Sequence, residues 1–172
     1  MAFIALALAA VGFSAPALRH APPRSALSML AVGEKAPVFE LPDANGKTVK
    51  VTFGGKSTVL FFFPSVDTPG CTKEAMAFSA QLKQFSKAKV IGISGGNTGK
   101  YAEWIAANNL GGLTLLADKG DKVRGLFKVP KAAFGLLPGR VTYVIDKNGV
   151  CQEAYDNLLD AESHVTCALN AI

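Results

Sequence analysis

Phe61 to Phe78 reads FFFPSVDTPGCTKEAMAF, and its one cysteine stands where an apolar run gives way, through Pro64, Pro69 and Gly70, to a helical pattern. A thiolate, not a thiol, is the reacting nucleophile, so a working cysteine needs surroundings that favour the anion. Cys71 falls in the first turn of the expected helix, where free backbone N–H groups and the helix dipole do that. Pro69 suits the first helical position, and Gly70 allows another group to approach closely. Thr68 precedes the helix, where a hydroxyl can cap it. Glu74 lies three residues past Cys71 and, as an anion, opposes a thiolate unless a cation compensates.

The other two cysteines, Cys151 and Cys167, make the count odd, and no CxxC pair occurs. That argues against a disulfide framework, a zinc site and a dithiol oxidoreductase. Both read more simply as small apolar packing residues.

The elements that must position Cys71 follow from periodicity. VFELPDANGKTVKVTF suggests two short strands around Asn45-Gly46. TVLFFFP is a continuous apolar run, as in a strand buried on both faces. CTKEAMAFSAQLKQFSK, with Ala75, Phe78, Leu82 and Phe85 at helical spacing, predicts an amphipathic helix through Lys87. KVIGISG predicts a second buried strand, TGKYAEWIAANN a helix, LTLLAD a strand and DKVRGLFKV a short helix. VTYVIDKNGVCQEAYD predicts a hairpin about Asn148-Gly149, and DAESHVTCALNAI a closing helix capped by Asp160. The expected class is α/β: a central mixed sheet flanked by helices, with an N-terminal hairpin.

The 172 residues suffice for one domain with a real core. Residues 1–30 read differently from the rest. MAFIALALAAVG is an apolar run too short to span a bilayer, and FSAPALRHAPPRSALSML is rich in Ala, Ser and Pro with two arginines and no acid. A signal peptide followed by a transit peptide is the expectation, with cleavage before Phe13 and again near residues 29–31, and a domain over 31–172. The leader resembles the bipartite plastid-targeting leaders of algae with red-lineage secondary plastids, which implies a plastid (chloroplast) location. Without it the chain keeps 16 basic against 13 acidic residues. Lys83, Lys87 and Lys89 form its densest basic cluster, on a stretch predicted helical and lacking interleaved aromatics, which reads as a solvated face and not a nucleic-acid site.

Pro64, Thr68 and Cys71 match the PxxxTxxC signature of the peroxiredoxins, and DTPGCTKEA resembles the peroxiredoxin Q branch, also called bacterioferritin comigratory protein. The likeness continues through VIGISG, FGLLPGR and TYVIDKNGV. It implies a thioredoxin-like fold and a thiol-dependent peroxidase acting on hydrogen peroxide and organic hydroperoxides, with no metal or other cofactor. It further implies that Cys71 is the peroxidatic cysteine and that Pro64, Thr68 and Arg140, the last in LPGR, complete the catalytic site. On its residues alone Arg140 would read as a surface ion-pair partner. Implied partners are the peroxide and a reductant such as thioredoxin, glutaredoxin or glutathione, with no nucleic acid, no membrane and a monomeric state.

One position departs from the branch. Where many members carry a resolving cysteine five residues after the peroxidatic one, this chain has Met76. The resemblance then implies a one-cysteine cycle completed by an outside thiol, unless Cys151 or Cys167 stands in as the resolving cysteine. The alternative expectation is a redox sensor or chaperone-like binding protein whose Cys71 oxidises without turning over.

Overall fold

The computed structural model describes residues 29–172. The expected targeting leader, residues 1–30, lies outside the described residues except for the last two of that range, and of these Leu30 is buried, its N–H donating to the Phe127 carbonyl.

The chain opens with β1 (Phe39–Pro42) and β2 (Thr48–Val51), an antiparallel hairpin. Its turn is the expected Asn45-Gly46, with Gly46 at φ +79°. β3 (Ser57–Phe62) follows, then α1 (Pro69–Ala80), β4 (Ala88–Ser94), α2 (Tyr101–Ala107), β5 (Thr114–Ala117) and α3 (Lys122–Leu126). A two-residue ladder joins β6 (Lys131–Ala132) to β7 (Leu137–Pro138), and β8 (Val141–Ile145), β9 (Cys151–Asp156) and α4 (Ser163–Asn170) complete the chain.

Five strands form one mixed sheet in the order β5-β4-β3-β8-β9. β4 runs parallel to β3 and to β5, whereas β8 is antiparallel to β3 and to β9. Every residue of β3 after Ser57 is buried, as its unbroken apolar run requires. The two-residue period sends Val59, Phe61 and Phe63 into one core and Leu60 and Phe62 into the other. The first core packs against Ala75 and Phe78 of α1, Tyr101 and Trp104 of α2, and Val165 and Ala168 of α4. The second is covered by Phe39 and Leu41 of the hairpin, Val123 of α3 and Phe127 just beyond it.

Two elements differ from the sequence reading. α1 stops at Ala80, and residues 81–87 form turns. Gln81 and Leu82 bond back to Phe78 and Ser79, three residues behind, which tightens the chain out of the helix. Phe85 reaches the core from that turn, its ring tilted 41° to that of Phe78 with centroids 5.9 Å apart, so helical spacing is imitated by a fold-back. Lys83 and Lys87 accordingly lie in the turns and Lys89 in β4, all three exposed. In the closing segment the α-helical run begins at Ser163 with Glu162 at the N-cap, so Asp160 is not the N-cap the sequence suggests, although its Oδ1 accepts the Ser163 N–H at 3.1 Å from the turn before the helix.

Candidate active site

β3 leads to Pro64, and Asp67, left-handed at φ 58°, turns the chain so that Thr68 stands extended at the N-cap of α1. Pro69 and Gly70 begin the helix and Cys71 completes its first turn, only 2% exposed. Thr68 does not cap with its side chain. Its Oγ1 donates to the Ser65 carbonyl at 3.2 Å, bracing the preceding turn. Pro64 lies two residues past the end of β3, and its carbonyl accepts from Ser94 Oγ at 3.2 Å.

Arg140 arrives from the loop between β7 and β8, immediately before the strand that pairs with β3. It is no surface residue: 4% exposed, it directs Nη2 to within 3.6 Å of Cys71 Sγ and donates from Nε to the Leu158 carbonyl at 3.1 Å. Two glycines admit it. A Cβ on Gly70 would lie 3.3 Å from Arg140 Nη2, and one on Gly139 would strike the Pro130 carbonyl oxygen. Nη1 of Arg140 donates to Glu74 Oε2, and Glu74 is fully buried. Burial outweighs the nearby guanidinium and pushes the Glu74 carboxyl up to about 8.

Behind Glu74 lies a polar pair that sequence reasoning missed. His164 of α4 is wholly buried, with Nδ1 at 2.8 Å from Thr142 Oγ1 and 3.9 Å from Glu74 Oε1. Its Nε2 sits 2.8 Å from the Asn157 carbonyl, which can only accept, so Nε2 carries the proton and Nδ1 accepts from the threonine hydroxyl. Burial pulls the imidazole down to about 4, keeping it neutral near pH 7. The one signal in the sequence was a histidine on the stripe of α4 that also carries Val165 and Ala168. Trp104 adds a further contact, its Nε1 donating to Thr72 Oγ1 at 2.9 Å beside the cysteine.

This constellation is a buried thiol at a helix N-terminus with a fixed cation against the sulfur. Residues 32–154 match the AhpC/TSA family. The chain belongs to that family. It is 44% identical over 168 residues to the chloroplastic peroxiredoxin Q of Triticum aestivum, an alignment covering 92% of this chain and 77% of that protein. With chloroplastic peroxiredoxin Q of Arabidopsis thaliana it shares 47% over 136 residues, 77% of this chain and 62% of that protein. Among solved structures, peroxidoxin BcpB from Mycobacterium tuberculosis superposes with a TM-score of 0.71 at 31% identity, covering 81% of this chain and 94% of that one. The relatives' likeness places the chain with the peroxiredoxin Q proteins, thiol peroxidases of thioredoxin-like fold.

The other two cysteines are not at this site, and all three are free. Cys151 is fully buried in the core on the opposite face of the sheet from Cys71, and burial pushes its thiol up to about 11. Cys167 is half-buried on α4, its thiol also raised by burial. Met76, at the position of the missing partner, is 50% exposed.

Proposed function

We propose that this chain reduces peroxides in the plastid through Cys71 by a one-cysteine cycle, with Arg140, Thr68 and Pro64 as its supporting site. The observation that carries the reading is the placement of Arg140 Nη2 at 3.6 Å from a sulfur in the first turn of α1. The thiolate attacks one oxygen of ROOH, the O–O bond breaks, and the departing alkoxide takes a proton from solvent to leave as ROH, or as water from hydrogen peroxide. Cys71 becomes a sulfenic acid. Negative charge that grows on the leaving oxygen meets a guanidinium already in place, so no reorganisation is needed during the reaction. Thr68 and Pro64 shape the turn through which the peroxide approaches.

The sulfenic acid then condenses with an external thiol, releasing water and forming a mixed disulfide. A second thiol, or the second sulfur of a dithiol such as thioredoxin, attacks that disulfide and frees Cys71. The burial of Cys151 across the sheet and the methionine at position 76 support this external route. The reductant is thioredoxin, glutaredoxin or glutathione, and the working unit is the monomer. The chloroplastic names of the relatives support the plastid location.

A steady-state assay with hydrogen peroxide and each reductant in turn tests the reading. Many turnovers per chain, lost in Cys71→Ser, are expected. Consumption of a single equivalent would instead mark a sensor, and turnover in the serine variant would remove Cys71 from the site.

A further inference from the structure

The site is assembled from two pieces of chain 69 residues apart, one carrying Pro64 and Cys71, the other Arg140. The sheet aligns them only up to a point. The ladder between β3 and β8 ends at the pair Phe62 and Val141, so Phe63, one residue past it on one side, and Gly139, two residues before Val141 on the other, have no strand-to-strand bond to each other. Their N–H groups are taken elsewhere, Phe63 by the Ile93 carbonyl and Gly139 by the Pro130 carbonyl. Their carbonyls share one partner. Arg124 donates from Nη2 to the Phe63 oxygen and from Nη1 to the Gly139 oxygen, each at 2.8 Å.

Arg124 is itself held firmly. It is 5% exposed, its guanidinium lies 5.8 Å from the Phe62 ring centroid, and its Nε is 3.2 Å from Asp121 Oδ1. Both carboxylate oxygens of the buried Asp118 accept from the start of α3, one from the Val123 N–H and one from that of Arg124. The fork therefore starts from a fixed helix end and closes on the two peptide units that precede Pro64 and Arg140.

We infer that Arg124 is a positioning residue for the peroxide reaction, setting where Arg140 stands relative to Cys71 by clamping the Phe63 and Gly139 carbonyls together. The inference rests on the reading of Cys71 and Arg140 as the reacting pair. A lysine cannot replace this arginine, because one ammonium on a flexible stem lacks the rigid fork that spans two acceptors. A misplacement of Arg140 by a fraction of an ångström weakens transition-state stabilisation while leaving the thiol present and reachable.

The test compares two reactions of Cys71 in Arg124→Lys: oxidation by hydrogen peroxide, which needs Arg140 in place, and alkylation by iodoacetamide, which does not need it for O–O cleavage. The peroxide rate constant is expected to fall on the order of 10- to 100-fold, with alkylation changing far less. Equal proportional losses, or no loss in either, overturn the inference, since a purely structural arginine lowers the urea midpoint without changing the ratio of the two rates in folded protein. Should Arg124→Lys not fold, Asp121→Asn decides. It touches a half-exposed side chain, removes the negative charge 3.2 Å from Nε, and should shift the same ratio in the same sense, an unchanged ratio being fatal. Arg140→Lys serves as the control for the underlying reading: wild-type peroxide rates there would undo the site itself, whereas a normal ratio in the Arg124 and Asp121 variants undoes only the clamp.

Discussion

The guanidinium of Arg140 is shared between Cys71 and Glu74, residues one helical turn apart on α1: Nη2 faces the sulfur at 3.6 Å while Nη1 binds the buried carboxyl. While Glu74 is protonated, the full cation faces the sulfur. Once it ionises, near pH 8, a second anion draws on the same charge. The peroxide rate constant of wild type, measured by stopped flow, should therefore fall a few-fold relative to that of Glu74→Gln between about pH 7 and about pH 9. Parallel profiles for the two proteins would show that Glu74 does not compete for Arg140.

Replacing Arg140 itself should cost far more. Lysine keeps the charge but loses both the two-partner geometry and the bond from Nε to the Leu158 carbonyl. A drop on the order of 100- to 1000-fold in the peroxide rate constant is expected for Arg140→Lys, with Cys71 still present to thiol reagents. Cys71→Ser should abolish turnover with the urea midpoint little changed, because a hydroxyl is no comparable nucleophile at neutral pH.

Glu74 and His164 should also leave opposite marks on stability. The folded state holds a proton on Glu74 up to about pH 8, whereas the unfolded carboxyl releases it near 4.5, so stability declines as pH rises between those values. His164 is protonated only near pH 4 when folded but near 6.5 when unfolded, so its stabilising contribution is lost as pH falls from 6.5 towards 4. Urea titrations across this range should show the alkaline decline flattened in Glu74→Gln and the acid decline flattened in His164→Gln, each relative to wild type. An unaltered slope in either variant would show that the buried group is not the one titrating.

Much of this arrangement is legible in the sequence because it depends on local rules. The run from Val59 to Phe63 reads as a buried strand because it is short, apolar throughout and closed by Pro64, and Pro69-Gly70 before a helical period places Cys71 in a first turn. Arg140 was reachable only through the family motif, since nothing local tells a buried arginine from a surface one. Arg124 had no signal at all: its partners are two backbone carbonyls, which carry no residue identity. The helix expected through Lys87 failed for a related reason, as Phe85 reaches the core from a turn and mimics helical spacing.

Recycling is where the geometry makes its sharpest demand. Met76 stands five residues beyond Cys71 on α1 and is 50% exposed, so a cysteine placed there would be reachable by solvent but would point about 140° away from position 71 around the helix. Met76→Cys should therefore form an intramolecular disulfide only by unwinding the first turns of α1, which would break the bond from Trp104 Nε1 to Thr72 Oγ1 and alter the fluorescence of the single tryptophan. In the wild type no such route exists, and Cys151 lies in the core on the opposite face of the sheet. On the one-cysteine cycle proposed above, the sulfenic acid waits for an outside thiol, exposed meanwhile to a second peroxide that would carry it to the sulfinic acid. Mass spectrometry after stepwise addition of peroxide should thus find more sulfinic acid on Cys71 in the wild type than in Met76→Cys, and no disulfide within the wild-type chain. A Cys71–Cys167 disulfide after one equivalent would show instead that α4 supplies the resolving thiol, and the one-cysteine cycle would have to be abandoned.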